Sequence, residues 1–198
     1  MFPGAEYGPL HDRVLEHDKT NALAANTRDF NMPMELSEAS IQELLWWITY
    51  APRAQKHISY PAPSMIIPAD ASKKGLGAVF EGRKIGGRWT PPEALKHNTL
   101  LELQAACFGL KSFADHTRGI HIQLQLDKTT AIAHVYNMGG SKSLEWDQLA
   151  KDLWGESIFQ EILVSAFHIP GISNVDADEQ SPHFNDKHEW AWNTGASQ

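Results

Sequence analysis

Cysteine is almost missing: Cys107 is the one such residue among 198. That excludes an intrachain disulfide and a thiolate zinc site, and it suits a reducing compartment. Long apolar runs are missing too, and none approaches the roughly 18 residues that a bilayer-crossing helix needs. The opening stretch MFPGAEYGPLHDR has neither the basic region nor the apolar core of a signal peptide. An intracellular soluble protein, with no membrane association, is expected. A surplus of positive charge is likewise absent, the formal net charge being −7. That argues against a free-standing nucleic-acid binder, because phosphate contacts supply most non-specific affinity. An enzyme that holds nucleic acid through metal ions and a local basic patch stays open. Repeats and low-complexity tracts are absent. The ten histidines are scattered, with no HExxH or Cys/His spacing among them.

What is present is an ordinary globular composition, 42% apolar and 21% charged, long enough for one domain and an extension. GPLHDRVLEHDKTNALAAN reads as a short helix that MPM breaks at Pro33. In ELSEASIQELLWWITYAP, Ile41, Leu44, Leu45 and Ile48 fall at i, i+3, i+4 and i+7, one apolar helix face. Ser37 or Ser40 caps it and Pro52 lies beyond its end. Trp46 and Trp47 extend that apolar surface and are expected to dock against another domain. RAQKHISYPAPS, with Pro61 and Pro63, reads as a linker.

From about residue 64 the pattern changes. SMIIPADA, GLGAVFEG and IGGRWT read as strands separated by glycine-containing turns. HNTLLELQAACFGLKSFADHT is a helix that places Cys107 in its core. GIHIQLQLD alternates through Ile120, Ile122, Leu124 and Leu126 and ends at Asp127. DKTTAIAHVYNMGG and SLEWDQLAKDLWGESIFQEI are helices, ILVSAFHIP a strand, and VDADEQSPHF a short final helix. The order βββαβαβα points to a mixed α/β sheet.

Four acidic residues lie at or near element boundaries: Asp70, Glu102, Asp127 and Asp178. A carboxylate that closes an apolar run sits poorly with simple burial, because an unpaired buried charge is costly. If the four converge they form a hard, all-oxygen site suited to Mg²⁺ or Mn²⁺. Two such ions, about 4 Å apart, serve phosphoryl transfer. Each residue has a plainer rival reading. Asp70 suits a turn that bonds its own backbone. Thr99 and Glu102 match the T-x-x-E capping box, locally the better account of Glu102. Against it, Ala105, Ala106 and Gly109 give that helix a small-residue face able to press on a sheet and carry Glu102 inward. Asp127 suits an N-cap for TTAIAHV. Asp176 or Asp178 suits a cap of the last helix.

His183 is a candidate proton shuttle near the leaving group, whereas His168 reads as structural. GGSKS (139–143) is either a helix-joining loop or a phosphate cradle using Lys142 and Ser143. Lys73, Lys74, Arg83, Lys84 and Arg88 gather among the first three strands, a basic concentration able to meet a nucleic-acid backbone.

These residues form a familiar succession. DASKKGLGAVFEG with GGRWT, then HNTLLELQAA, LDKTTAIAHVYNMGGSKS, AFHIPGISNVDADEQS and HEW resemble the ribonuclease H domain of DIRS-type retrotransposon polyproteins, over about residues 64–192. The segment before it resembles the connecting region that follows the reverse transcriptase in those polyproteins. The resemblance implies an RNase H-like fold, a five-stranded mixed sheet with strands 1–3 antiparallel and flanking helices. It implies residues 1–61 as a helical connection and linker, 62–192 as the RNase H-like domain and 193–198 as a tail. It implies hydrolysis of the RNA strand of RNA–DNA hybrids, with two Mg²⁺ or Mn²⁺ ions held by Asp70, Glu102, Asp127 and Asp178. Asp178 takes precedence over Asp176 because Asn174, Ala177 and Asp178 match the family's N-x-x-A-D. Lys73, Lys74, Arg88, Lys128, Lys142 and Ser143 are the expected nucleic-acid contacts, and a reverse transcriptase domain is the expected partner of the Trp46/Trp47 helix. The chain departs from the family at Lys128, where asparagine follows the aspartate, at Glu179 to Pro182, where an arginine is lost, and at Ala69, where threonine is commoner. Two rivals remain: a retroelement relic that binds without cleaving, and a DNA-directed nuclease or integrase with three carboxylates.

Overall fold

A computed structural model of the chain describes residues 5–54, 59–139, 144–171 and 174. Two compact units emerge: Met1–Pro61 with His134–Trp154, and Ala62–Ala133 with Gly155–Gln198. A 3-10 turn (Gly8–His11), helices α1 (Arg13–Ala25) and α2 (Glu38–Thr49) and a second 3-10 turn (Ala51–Arg53) come first. Strands β1 (Met65–Ala71), β2 (Gly75–Phe80) and β3 (Arg83–Arg88) follow, then the single turn α3 (Pro91–Ala94) and the long helix α4 (Asn98–Ala114). Strand β4 (His121–Leu126), helices α5 (Thr129–Tyr136) and α6 (Leu144–Phe159) and strand β5 (Leu163–His168) complete the described elements. Among the described residues no helix is long and apolar enough to cross a membrane.

In the first unit the expected span of α2 is present, and of its two candidate caps the structure uses Ser37, whose hydroxyl accepts from the Ser40 amide at 3.2 Å. Its buried contacts differ from the reading of the apolar stripe. Ser40 and Glu43 are buried, while Ile41, Leu45 and Ile48 are exposed, Ile48 to 74%. Both tryptophans turn inward. Trp46 stacks on the His11 ring at 4.0 Å and meets Trp47 edge-on, and Trp47 donates its indole N–H to the His11 carbonyl at 2.7 Å. Gly8 has no room for a Cβ, which would lie 2.8 Å from the Trp47 ring. The surface predicted for the tryptophans is therefore carried by Ile41, Leu45 and Ile48.

The Glu43 carboxylate explains why burial goes to the polar stripe. Its oxygens accept from the Val14 and Leu15 amides, both at 3.1 Å, and pair with Lys151 Nζ at 3.0 Å. Helix α1 has no cap from its own flank, since the Asp12 side chain makes no capping hydrogen bond to its amides. Glu43 of the neighbouring helix satisfies those orphan amides at the positive end of the helix dipole instead.

The second unit holds a five-stranded sheet of order β3-β2-β1-β4-β5. Strands β1–β3 are antiparallel neighbours, whereas β4 runs parallel to both β1 and β5. The β2–β3 hairpin turns on Glu81 and Gly82, both at positive φ, the backbone that a two-residue turn between twisted strands requires. Helix α4 packs on β1 and β2 through the expected small face. Ala105 and Ala106 are buried, and a Cβ on Gly109 would stand 2.9 Å from the Ala78 Cβ and 3.1 Å from Ile67 Cγ2. Cys107 is buried in the same helix. Ile67, Leu101, Ile122, Leu124 and Leu126 fill the core.

Candidate metal centre

Strand pairing brings two of the carboxylates together. The β1–β4 register sets Met65 beside Ile122 and Pro68 beside Gln125, and the same offset carried two residues further sets Asp70 beside Asp127. Neighbouring strands lie about 4.8 Å apart, so side chains at matching positions meet. Asp70 is buried within β1, and Asp127 follows directly after β4. The third carboxylate arrives from above the sheet. Glu102 lies in the second turn of α4, and the close approach at Gly109 lowers that helix until Glu102 is 0% exposed. Asp70, Glu102 and Asp127 each offer an oxygen, and these atoms all lie within 4.8 Å of one another.

The capping-box reading of Glu102 is overturned. Helix α4 begins at Asn98, and its cap is His97, whose Nδ1 accepts from the Thr99 amide at 3.3 Å. Glu102 is thus too deep in the helix to serve its start, and its Oε1 accepts the Asp127 amide at 3.2 Å. Nor is Asp127 the cap of α5. The Ile132 amide bonds the Lys128 carbonyl, one residue later, and the Asp127 carboxylate pairs through Oδ2 with the Lys128 ammonium.

Electrostatics follow from the crowding. Burial pushes the Glu102 carboxyl up to about 9, and a hydrogen bond with Asp127 and the charges of Asp127 and Asp70 add to it. For Asp127 burial also acts upward, but the bonds from Glu102 and Lys128 outweigh it and hold the group below the usual aspartate value. For the Lys128 ammonium, burial acts downward but is outweighed by the bond to Asp127 and the three nearby carboxylates, which raise it. The crowding thus favours the protonated form of Glu102 beside an ionised Asp127.

The donor set fits a hard divalent cation. Glu102 Oε2 and Asp127 Oδ1 are buried without a hydrogen-bond partner, and orphaned buried oxygens carry a desolvation cost that a cation relieves. Two further contacts brace the site. His168 Nε2 lies 3.1 Å from the Asp127 carbonyl oxygen, the structural place expected of it. The Asn174 amide donates at 3.1 Å to the carbonyl of Ala69, the neighbour of Asp70. This buried bond had no counterpart in the motif reading, where Asn174 served only to choose between Asp176 and Asp178.

Three of the five grouped basic residues also reach this end of the sheet, whereas Arg83 and Lys84 lie at the β2–β3 hairpin end. Lys73 and Lys74 lie in the β1–β2 turn, and Gly75 pairs with Arg88 at the end of β3. All three are exposed at the sheet end where β1 and β4 finish. Lys73 also donates to the Lys96 carbonyl. Asp178, His183, Lys142 and Ser143 lie outside the described residues.

No protein-family model matches the sequence, and no curated protein does. Solved structures do. The RNase H1 of the halophilic archaeon Halobacterium salinarum is 18% identical over 59% of this chain and 92% of its own, with a TM-score of 0.46. LC11-RNase H1 in complex with an RNA/DNA hybrid is 17% identical over 59% of this chain and 93% of its own, at 0.50. The protease-reverse transcriptase of prototype foamy virus covers 79% of this chain and 21% of its own, at 12% identity and 0.36. The strand order, the change from antiparallel to parallel pairing at β1 and the likeness to LC11-RNase H1 together show that this chain has the RNase H-like fold.

Proposed function

We propose that the chain is a metal-dependent ribonuclease H that cleaves the RNA strand of RNA–DNA hybrids. The observation that carries this reading is the meeting of Asp70, Glu102 and Asp127 with two orphaned buried oxygens. Asp178 completes the ligand set in this proposal. It lies four residues beyond Asn174, which is bonded to Ala69, and four residues span at most about 14 Å, so the chain can bring it back to Asp70. These four carboxylates would hold two Mg²⁺ or Mn²⁺ ions, which would supply charge stabilisation for hydrolysis of the RNA phosphodiester.

The chain's own residues do the positioning. Asp70 and Asp127 hold oxygens on adjacent strands, and Glu102 gives up its proton to become a ligand. Lys73, Lys74 and Arg88 take phosphates flanking the cut, with Lys142 and Ser143 assigned the same task. His183 is assigned the proton to the leaving group. The 2′-hydroxyl distinguishes the strand to be cut. The motif succession supports an origin in a DIRS-type retrotransposon polyprotein, with residues 62–192 as the RNase H domain. The α2 face of Ile41, Leu45 and Ile48 would then receive the reverse transcriptase domain.

One observation favours a second reading, a relic that binds but does not cleave: Lys128 already occupies Asp127. A single assay separates the two. The full chain is given a labelled RNA–DNA hybrid with Mg²⁺ or Mn²⁺, beside Asp70→Asn and Asp127→Asn. We expect cleavage by the unmodified chain and a loss of at least 100-fold in either variant, on the order of removing one electrostatic element from an active site. Binding of the hybrid without cleavage by a folded chain would select the relic.

A further inference from the structure

We propose that Lys128 is a tethered counter-ion of the carboxylate cluster, which holds a cation position at Asp127 and sets the concentration at which a divalent metal enters. The inference rests on the metal-centre reading above and concerns how that centre is regulated.

Three carboxylates offering oxygens within 4.8 Å of one another repel strongly when ionised. The Lys128 ammonium pairs with Asp127 Oδ2, so a charge of the right sign is present before any metal. It does not complete the site. Glu102 Oε2 and Asp127 Oδ1 stay buried without partners, and Glu102 is wholly buried, so a second cation still has oxygens to meet. Entry of a metal nevertheless competes for Asp127.

Backbone geometry keeps the competitor in place. The Lys128 carbonyl accepts the Ile132 amide at 3.1 Å as α5 begins, so the root of the side chain is held while its tip is free to leave. The side chain is 41% exposed, which gives the displaced ammonium an exit to solvent. An ion pair this exposed is weak, and a weak competitor adjusts a binding threshold without closing the site.

The test uses Mn²⁺ as the probe, with calorimetric titration of the full chain carrying Lys128→Met, Lys128→Arg or Asp127→Asn, and of the unmodified chain. Lys128→Met should bind Mn²⁺ roughly two- to fivefold more tightly, while Lys128→Arg keeps the unmodified threshold. Thermal melts supply a readout that a merely structural lysine would not produce. In EDTA, Lys128→Met should melt below the unmodified chain, because carboxylate repulsion is unrelieved; saturating Mn²⁺ should close or invert that gap. Equal Mn²⁺ affinity in Lys128→Met and the unmodified chain, with Asp127→Asn weakened, overturns the counter-ion role and leaves the metal centre standing. Absence of Mn²⁺ binding by every folded variant, Lys128→Met included, overturns both.

Discussion

At the scale of single residues, Glu102 concentrates the conflict between folding and the proposed function. A carboxyl that is fully buried beside two others is most stable protonated, yet a metal ligand must be ionised. The consequence for stability has a definite sign. The folded carboxyl holds its proton up to about 9 against an ordinary 4.5, so its contribution is fully present below 4.5 and is lost as pH rises through 9. Asp127, held below the ordinary value, acts in the opposite sense and in the acid range only, below 3.8. In EDTA the melting temperature should therefore fall between pH 5 and 9, and Glu102→Gln should flatten that slope. Melts of both proteins across the range check it, and parallel curves would contradict the assignment. Saturating Mn²⁺ should likewise raise the alkaline stability of the unmodified chain, because metal replaces the proton.

At the scale of elements, α4 is the device that turns a local motif into part of a site. Its small face is required by distance: Gly109 lets the helix axis approach β1 and β2 closely enough to submerge Glu102. Gly109→Ala sets two effects against each other. Helix propensity favours alanine by about 1 kcal/mol, whereas a Cβ 2.9 Å from the Ala78 Cβ overpacks a close-packed boundary at about 1–3 kcal/mol. Overpacking should win, because the neighbour belongs to a strand paired on both sides. We expect net destabilisation of up to about 2 kcal/mol by chemical denaturation, with weaker Mn²⁺ binding as Glu102 is lifted. An unchanged or raised stability would mean the sheet yields to the added methyl group. Helix α2 illustrates the opposite outcome. Its stripe of Ile41, Leu45 and Ile48 is as regular as any in the chain, yet the face chosen for burial carries Ser40 and Glu43, because a neighbouring helix start needed an anion.

At the scale of the whole molecule, charge limits how nucleic acid is held. With a net charge of −7, long-range attraction for the proposed hybrid would be weak and the grip would fall to a few placed cations. Lys73, Lys74 and Arg88 at the site end of the sheet would engage about three phosphates, giving a log–log salt slope of roughly −2 to −3. Arg88→Ala should reduce its magnitude by about 1. Binding isotherms at several salt concentrations, in Ca²⁺ to avoid turnover, measure both. A slope unaffected by Arg88→Ala would move the interface away from β3.

Elements governed by near neighbours along the chain were legible before any coordinates. The alternation of Ile122, Leu124 and Leu126 marked β4, Ser37 or Ser40 marked the start of α2, and Asp127 stood out because it ended an apolar strand. The order of motifs pointed to the RNase H-like sheet. Choices between locally equal readings depended on partners distant in sequence. Glu102 matched a capping box by spacing, and became a buried member of the cluster only because α4 begins at Asn98 and descends on β1 and β2. Lys128 appeared as a departure from a motif, and the fold made it an ion-pair partner of Asp127. Asn174 appeared as a register mark, and the fold bonded it to Ala69 across 105 residues. The physical division is one of range. Periodicity and capping act over a few residues, so the chain itself encodes them. Which face is buried, and which carboxylate meets which, follow from contacts that exist only after the strands pair and the helices pack.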